Sequence, residues 1–269
     1  MPQTTGNGIN LYYEVHGEGE PLLLIMGLSL NSKSWFRTLP ALSEHFKVII
    51  FDNRGTGHSD KPNSPYSIEQ MAEDAKCVLD AAGVESAHVY GISMGGMIAQ
   101  KLALMYPSRV RSLILGCTTS GGASHVQPSA EISMLMLSRG SSVATPEEMA
   151  WATAPILYSQ SFIENQRELV AEDIQRRIEI PVLPYAYILQ LQACLAHDTY
   201  NDIDQIKVPT LVIHGDEDKL VPYQNGVTLA EKIPNAEFLT IQGAGHIYVT
   251  EANDLVNERV IDFLNKLIL

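Results

Sequence analysis

The segment VYGISMGGMIAQ, residues 89–100, carries the most information about the architecture of this 269-residue chain. Gly91-Ile92-Ser93-Met94-Gly95 at its centre matches the pattern G-x-S-x-G, which is typical of a sharp turn from a β-strand into an α-helix. The serine has unfavourable backbone angles there, and its flanking glycines let strand and helix come close. Because five residues match by chance too often, the context matters: AHVYG before the turn indicates a strand, and GMIAQKLALMY after it indicates a helix.

Short apolar segments alternate with helical patterns along the rest of the chain. The segments that predict buried strands are 9–15, 21–27, 46–52, 86–91, 110–116, 209–215 and 236–243. Helices are predicted after the capping box of Ser67 and Gln70, over 96–106 and over 253–267. This alternation favours an α/β fold: a mostly parallel sheet with helices on both faces. Gly6-Asn7-Gly8 indicates a hairpin that forms an antiparallel edge.

Residues 121–204 break this alternation, because no strand pattern occurs there. Thr145-Pro146-Glu147-Glu148 has the features of a helix start, and residues 184–197 form another helical pattern. An all-helical insertion between two strands is expected to cover the carboxyl edge of the sheet, where open α/β sheets bind ligands. We therefore predict a core of residues 1–120 and 205–269 with a helical cap of residues 121–204.

Charge and composition exclude several classes of protein. The chain has 18 basic and 31 acidic residues, a net charge of −13, and no basic cluster, which argues against binding to nucleic acid or to an anionic membrane. The first residues lack a signal-peptide pattern, and no early apolar run approaches the roughly 20 residues that span a bilayer. We expect a cytoplasmic protein that is a monomer or a homodimer.

The three cysteines point to no cofactor. Cys77, Cys117 and Cys194 are widely spaced, form no CxxC pair and lie among apolar residues. We expect buried thiols rather than a zinc site or a disulfide framework. No metal or organic cofactor is expected.

A base for Ser93 is the next requirement, because a serine hydroxyl is a weak nucleophile until a base accepts its proton. His246 lies in a glycine-rich loop directly after the last predicted strand, where it can reach the carboxyl edge of the sheet. His125 and His197 fall in the predicted cap, and His214 ends a strand where packing would explain it. We therefore predict that His246 is the base.

An acid that orients the histidine is expected just beyond another strand. The segment VIHGDEDKLVP places Asp216, Glu217 and Asp218 there. We choose Asp218, with Asp216 as the alternative, and expect a solvated turn for the others.

Backbone N–H groups are expected to bind the developing oxyanion. Met94 begins the helix after Ser93, so that its N–H and the helix dipole face the reacting group. The second donor is expected after the strand at 21–27, where Gly27 leaves room for the N–H of Leu28.

With these features, the chain resembles the α/β-hydrolase superfamily from about residue 8 to its C-terminus. Five blocks in the family's order carry the resemblance: 26–28, 52–60, 91–96, 214–222 and 243–246. It implies an eight-stranded sheet. It also implies Ser93 as nucleophile, Asp218 as acid, His246 as base, and backbone donors at Leu28 and Met94. It also implies that five residues of the second block shape a loop without taking part in chemistry: Asp52, Arg54, Gly55, Gly57 and Ser59.

Within the superfamily the chain looks most similar to carboxylesterases and 3-oxoadipate enol-lactonase-like members. It departs from them at Met26, where many relatives have histidine, and this leaves the polar anchoring of the donor loop unexplained. Ile92 weakens the case for C–C bond hydrolases, which carry asparagine there. Serine at position 93, where dehalogenases and epoxide hydrolases carry aspartate, excludes those two classes.

The expected function is that of a serine hydrolase acting on small to medium carboxylic esters or lactones through an acyl-enzyme. Two alternatives stay open: thioester, C–C or perhydrolase/haloperoxidase-like chemistry on the same triad, and a non-catalytic ligand receptor. The expected partner is a small molecule. A substrate with a carboxylate would require a cation, and the predicted cap offers four arginines: Arg139, Arg167, Arg176 and Arg177.

Overall fold

The computed structural model describes residues 3–139 and 144–268. Eight strands form one sheet within these ranges: β1 Gln3–Gly6, β2 Ile9–His16, β3 Pro21–Ile25, β4 Lys47–Phe51, β5 Ala87–Ile92, β6 Val110–Gly116, β7 Thr210–Gly215 and β8 Glu237–Ile241. Their order is β1-β2-β4-β3-β5-β6-β7-β8. The strands from β4 to β8 in this order are parallel, whereas β2 is antiparallel to β1 and to β4. The predicted α/β sheet with an antiparallel edge is confirmed.

The antiparallel edge depends on a two-residue turn. Asn7 and Gly8 both have positive φ, 53° and 78°, as a tight hairpin with the twist of its strands requires. Asn7 also donates to the carboxylate of Glu73 at 3.0 Å, which attaches the hairpin to a neighbouring helix.

Eleven α-helices occur in the described ranges: α1 Leu39–Ser43, α2 Ile68–Ala81, α3 Met94–Met105, α4 Ala130–Ser138, α5 Pro146–Leu157, α6 Gln160–Asn165, α7 Arg167–Ile178, α8 Pro184–Leu195, α9 Gln224–Lys232, α10 Tyr248–Glu251 and α11 Asn253–Ile268. The capping box predicted at Ser67 begins α2, and the one predicted at Thr145 begins α5. Helix α3 begins two residues earlier than its pattern predicts, because Ser93 itself is the N-cap.

Both faces of the sheet are buried, and alternate residues of a strand show this directly. In β3, Leu23 and Ile25 pack in the apolar cluster that includes α2 and α3, whereas Leu22 and Leu24 pack in the cluster that includes α1 and α11. This period of two is what a sheet covered on both sides requires.

Helices α4–α8 all lie between β6 and β7 in the chain. Helices α5 and α7 have an apolar cluster of their own, with Val170 and Ile174 fully buried. Just beyond β6, an isolated antiparallel β-bridge pairs Gly121, at the start of this helical segment, with Asp198. The exact cap boundaries stay a prediction.

None of the described helices combines the length and the apolarity needed to cross a membrane.

Candidate active site

Ser93 lies on a strained turn between β5 and α3. Its φ of 56° and ψ of −119° are outside the allowed regions for most residues, a conformation that costs on the order of 1–3 kcal/mol. Tertiary contacts hold it: the N–H of Ser93 donates to the carbonyl of Gly116 at 2.8 Å, and Thr118 Oγ1 donates to the carbonyl of Ser93 at 2.7 Å. Strain kept at one position in this way is a feature of functional sites.

The two glycines of the motif permit the close approach at this turn. A Cβ added at Gly91 would lie 2.2 Å from the carbonyl oxygen of Gly95, and one added at Gly95 would lie 2.0 Å from that of Ile25. No side chain fits at either position.

His246 and Asp218 form a buried pair at the carboxyl edge of the sheet. His246 Nδ1 lies 2.7 Å from Asp218 Oδ2, and both side chains are at least 95% buried. A proton on Nδ1 therefore points at the carboxylate and leaves Nε2 as the free nitrogen. The predicted alternatives lie elsewhere, because Asp216 and Glu217 are exposed and Asp216 accepts from the N–H of Gly243.

Both carboxylate oxygens of Asp218 accept hydrogen bonds. Its Oδ1 accepts from the N–H groups of Leu220 and Val221, each at 2.9 Å. Burial alone would raise the pKa of this carboxyl, but the charge of His246 and the hydrogen bonds from His214 and His246 outweigh it and lower the pKa to about 2. The group is thus an ionised acceptor that fixes the histidine ring.

His214 has a larger part in this pair than its sequence position suggests. Its Nε2 lies 3.3 Å from Asp218 Oδ2 and 2.8 Å from the carbonyl of Val221. The ring is fully buried. Packing was the sequence-based interpretation, and the structure adds a polar contact to Asp218.

Ser93 and His246 line the same cavity. Across residues 3–139 and 144–268 no hydrogen bond joins Ser93 Oγ to His246, and the side chain that faces Nε2 is Cys117, with Sγ at 3.9 Å. Hydrogen bonds between catalytic groups are often long before a substrate binds.

The predicted oxyanion donors lie beside the serine. A Cβ placed at Gly27 would be 3.1 Å from Ser93 Cβ and 3.6 Å from its Oγ, so the backbone at Gly27 lies close to the hydroxyl. Leu28 lines the cavity, and Met94 is the first residue of α3.

Two side chains anchor the loop that runs from Met26 to Ser29, whose polar anchoring the sequence left unexplained. Asn53 Nδ2 donates to the carbonyl of Met26 at 2.9 Å, and Gln190 Oε1 accepts from the N–H of Ser29 at 2.8 Å. Ser29 has a φ of 66°, so the loop turns sharply after Leu28. Neither anchor was predicted from the sequence: Gln190 lies 161 residues from Ser29 in the chain, and Asn53 lies 27 residues from Met26.

Polar contacts, most of them buried, hold the loop of residues 52–60, for which the resemblance implied a structural role. Asp52 accepts from the N–H groups of Ser32 and His58, each at 2.7 Å. Arg54 forms a two-point ion pair with Asp74, at 2.6 and 2.7 Å. Gly57 has a φ of 52°, and a Cβ there would lie 2.0 Å from Asp52 Oδ2. Ser59 and Gly55 also have structural contacts. Ser59 Oγ donates to the carbonyl oxygen of Asp52 at 2.6 Å, and the N–H of Gly55 donates to the carbonyl oxygen of Asp60 at 2.9 Å.

Cys117 is a further buried group beside His246. Its φ of 37° is unusual for a residue with a side chain. The side-chain donor atoms of Cys117, Asp218 and His246 lie within 4.8 Å of one another, a spacing that a metal ion could bridge. Burial raises the pKa of the Cys117 thiol and the Asp218 carboxylate adds to this, which opposes metal binding because a metal requires the thiolate. The other two thiols differ from the prediction, because Cys77 and Cys194 are only half-buried.

The cavity above Ser93 has a volume of about 560 Å³, within the usual range of small-molecule sites. The strand ends form its floor, and helices α4, α7 and α8 contribute to its walls. Three of the four arginines considered from the sequence reach it, Arg139, Arg176 and Arg177, whereas Arg167 is exposed and stacks on Trp151. His125 and His197 also line the cavity.

The sheet order and the strained serine at the end of β5 are those of a hydrolase with the α/β hydrolase fold. The sequence model of the α/β hydrolase fold family matches residues 20–252, and the chain belongs to this family.

Individual relatives cover the whole chain. The protein is 34% identical to the "Putative carbamate hydrolase RutD" of Azorhizobium caulinodans, over 99% of each chain. Among solved structures it is similar to the enol-lactonase from Burkholderia xenovorans LB400, with 28% identity, a TM-score of 0.87 and coverage of 98% of this chain and 100% of that one. A thermophilic esterase from Thermogutta terrifontis is similar as well, with 27% identity, a TM-score of 0.85 and coverage of 98% and 97%.

Proposed function

We propose that the protein hydrolyses small to medium carboxylic esters or lactones, with Ser93 as nucleophile, His246 as general base and Asp218 as the acid that orients it. The observation that carries this proposal is the 2.7 Å contact between His246 Nδ1 and Asp218 Oδ2. It fixes one tautomer and leaves Nε2 free in the cavity that Ser93 lines. A strained serine beside such a histidine is the arrangement of an activated nucleophile.

The reaction then follows from the positions of these groups. Nε2 of His246 accepts the proton of Ser93 as Oγ attacks the carbonyl carbon, and the N–H groups of Leu28 and Met94 bind the oxyanion. His246 next donates the proton to the leaving oxygen, and a water molecule that it activates hydrolyses the acyl-enzyme. Losing one oxyanion donor in a comparable site costs about 10²–10³ in rate.

A second candidate is the hydrolysis of a carbamate, which the name of the 34% identical relative suggests. The same serine chemistry applies to a carbamate carbonyl. The cavity has a volume of about 560 Å³, many times the roughly 30 Å³ that one water molecule occupies in the liquid. It therefore favours a substrate larger than carbamate itself, which is a very small molecule. A carbamate ester would fit better than the free acid.

The rates of 4-nitrophenyl acetate and butyrate hydrolysis test the proposal. We expect Ser93→Ala to lose at least about 10³ in kcat/KM. Ser34→Ala serves as the matched control, because Ser34 also lines the cavity but has no part in the proposed chemistry. Equal rates for the wild type and Ser93→Ala would contradict the proposal.

A panel of matched esters, lactones and carbamates separates the two candidates. If the proposal holds, an ester or lactone gives a higher kcat/KM than the carbamate with the same groups. A carbamate preference of tenfold or more would instead establish the second candidate.

A further inference from the structure

Five arginines belong to, or lie next to, the helical wall of the Ser93 cavity, and they differ in whether an acid neutralises them. Arg37 bonds to Glu172 at 2.6 Å and to Asp173 at 3.1 Å. Arg176 lies 4.0 Å from Glu172 and over the ring of Phe36. Within residues 3–139 and 144–268 the other three have no acidic partner: Arg139, Arg167 and Arg177. Gly140-Ser141-Ser142-Val143, the stretch between these ranges, contains no acid either.

Arg139 and Arg177 are both partly buried. The guanidinium of Arg139 lies over the ring of Tyr187, 4.7 Å from its centre, and burial lowers its pKa, an effect to which the nearby Arg177 contributes. Nη1 of Arg177 is buried and has no hydrogen-bond partner in the described part of the chain. A partly buried cation without an acidic partner and an unbonded buried N–H are both costly, so an anion bound between the two side chains would stabilise both.

These two side chains are also placed where a substrate can reach them. Both line the cavity above Ser93, and both line an adjoining side cavity of about 140 Å³. Ser29 and Leu30, which follow the proposed oxyanion donor, line both cavities as well. Arg139 and Arg177 therefore border both cavities, as the residues after the proposed oxyanion donor do.

Asp173, an acid on the same wall, already accepts hydrogen bonds at both of its carboxylate oxygens. Asp173 accepts from Arg37 at 3.1 Å through Oδ1, and from Tyr158 at 2.9 Å and Thr250 at 2.6 Å through Oδ2. Asp173 therefore does not neutralise the charge of Arg139 or of Arg177.

We propose that Arg139 and Arg177 form an anion subsite that binds a carboxylate of the substrate, so that the preferred substrates are esters or lactones that carry a free carboxylate. This inference rests on the proposed function and specifies its substrate class. Guanidinium groups suit a carboxylate because their parallel N–H groups match its two oxygens. On a chain with a net charge of −13, such a local cationic site is needed to hold an anion.

Ligand binding tests the subsite without any hydrolysis. We would titrate Ser93→Ala with glutarate by calorimetry and compare it with variants that also carry Arg139→Gln or Arg177→Gln. Each added change is expected to weaken glutarate binding at least tenfold, as the loss of a charge-assisted hydrogen bond does. Arg167→Gln is the matched control, because Arg167 is exposed, lies on the same helical segment and does not line the cavity.

Two binding results would overturn the proposal. The first is glutarate binding that neither cavity arginine changes by more than twofold, or no glutarate binding at all. The second is tighter binding of inorganic phosphate than of glutarate, which would show that the pair selects a different anion.

Kinetics tests the proposal on the active enzyme. We expect the kcat/KM of the mono-4-nitrophenyl ester of adipic acid to exceed that of 4-nitrophenyl hexanoate by about tenfold or more, and this ratio to fall to near one in Arg177→Gln. Arg167→Gln should retain the ratio. A wild-type ratio near one would overturn the subsite while leaving the proposed function intact, whereas hydrolysis of neither ester would count against the proposed function.

Discussion

Asp218 shows at the residue scale how a single carboxylate organises the site. Four donors surround its two oxygens, and its pKa of about 2 keeps it ionised at every pH above about 3. Any loss of activity between pH 4 and 7 therefore comes from a group other than Asp218.

Asp218→Asn removes the charge but keeps the size of the side chain. We expect kcat to fall by about 10³–10⁴, because an amide no longer holds His246 with its proton on Nδ1. Asp216→Asn is the control, since Asp216 is exposed and accepts a hydrogen bond from the N–H of Gly243 rather than from His246. Steady-state rates with a 4-nitrophenyl ester measure both, and an equal loss in the two variants would show that Asp218 has no special role.

His197 predicts a pH dependence of stability. Burial, together with the charge of Lys101, lowers its pKa from 6.5 to about 4. Between these values the unfolded chain binds a proton that the folded chain does not, so the free energy of unfolding falls as the pH decreases. The shift corresponds to about 3 kcal/mol, at about 1.36 kcal/mol per pKa unit.

The variant that tests this is His197→Gln, which cannot titrate. Urea unfolding at pH 7 and pH 4.5 should show a smaller loss of stability in His197→Gln than in the wild type. His45→Gln, at an exposed position, should behave like the wild type. The interpretation is wrong if His197→Gln and the wild type lose the same free energy.

At the element scale, the strand-to-helix turn at Ser93 depends on its glycines. Gly95→Ala brings a methyl group to 2.0 Å from the carbonyl oxygen of Ile25, so β3 and α3 must separate. We expect the free energy of unfolding to fall by more than about 3 kcal/mol and activity to be lost with it.

Gly83→Ala provides the comparison by chemical denaturation. Gly83 has a φ of 67° but nothing within 4 Å of its missing Cβ, so only backbone strain of about 1–2 kcal/mol is expected. If Gly95→Ala cost no more than Gly83→Ala, close packing at the turn would not be the reason for the glycine.

The elements that sequence analysis predicted are those specified by local patterns. The Asn7-Gly8 turn, the capping boxes at Ser67 and Thr145, and the apolar strand segments each depend on residues within a few positions of one another. Ser93, Asp218 and His246 follow the parallel strands β5, β7 and β8, so their placement at the same edge of the sheet also follows from the strand pattern. Contacts such as Gln190 with Ser29 depend on how α8 docks against the β3 loop, and no local pattern specifies that docking.

At the scale of the whole molecule, Asp173 joins the helical segment to the sheet-bearing core. This buried residue of α7 bonds to Arg37 on the core, to Thr250 on α10 and to Tyr158 at the end of α5. We expect Asp173→Asn to reduce the free energy of unfolding by about 2–4 kcal/mol, because charged hydrogen bonds are lost and Arg37 loses a partner. Urea denaturation of the wild type and of Asp173→Asn measures this difference in the free energy of unfolding.

Glu168→Gln is the control for this prediction, because Glu168 lies exposed in the first turn of the same helix. Its stability should stay within about 0.5 kcal/mol of the wild type. A similarly small effect of Asp173→Asn would show that the contact does not join the two parts of the molecule.

Covalent labelling tests whether Ser93 is the nucleophile. Wild-type protein, Ser93→Ala and Asp218→Asn would be treated with phenylmethylsulfonyl fluoride, and the adduct located by peptide mass spectrometry. We predict one sulfonyl group on Ser93 in the wild type, slower labelling in Asp218→Asn and none in Ser93→Ala. An adduct that persists in Ser93→Ala, or a wild type that labels elsewhere while Ser93 stays free, would contradict the claim.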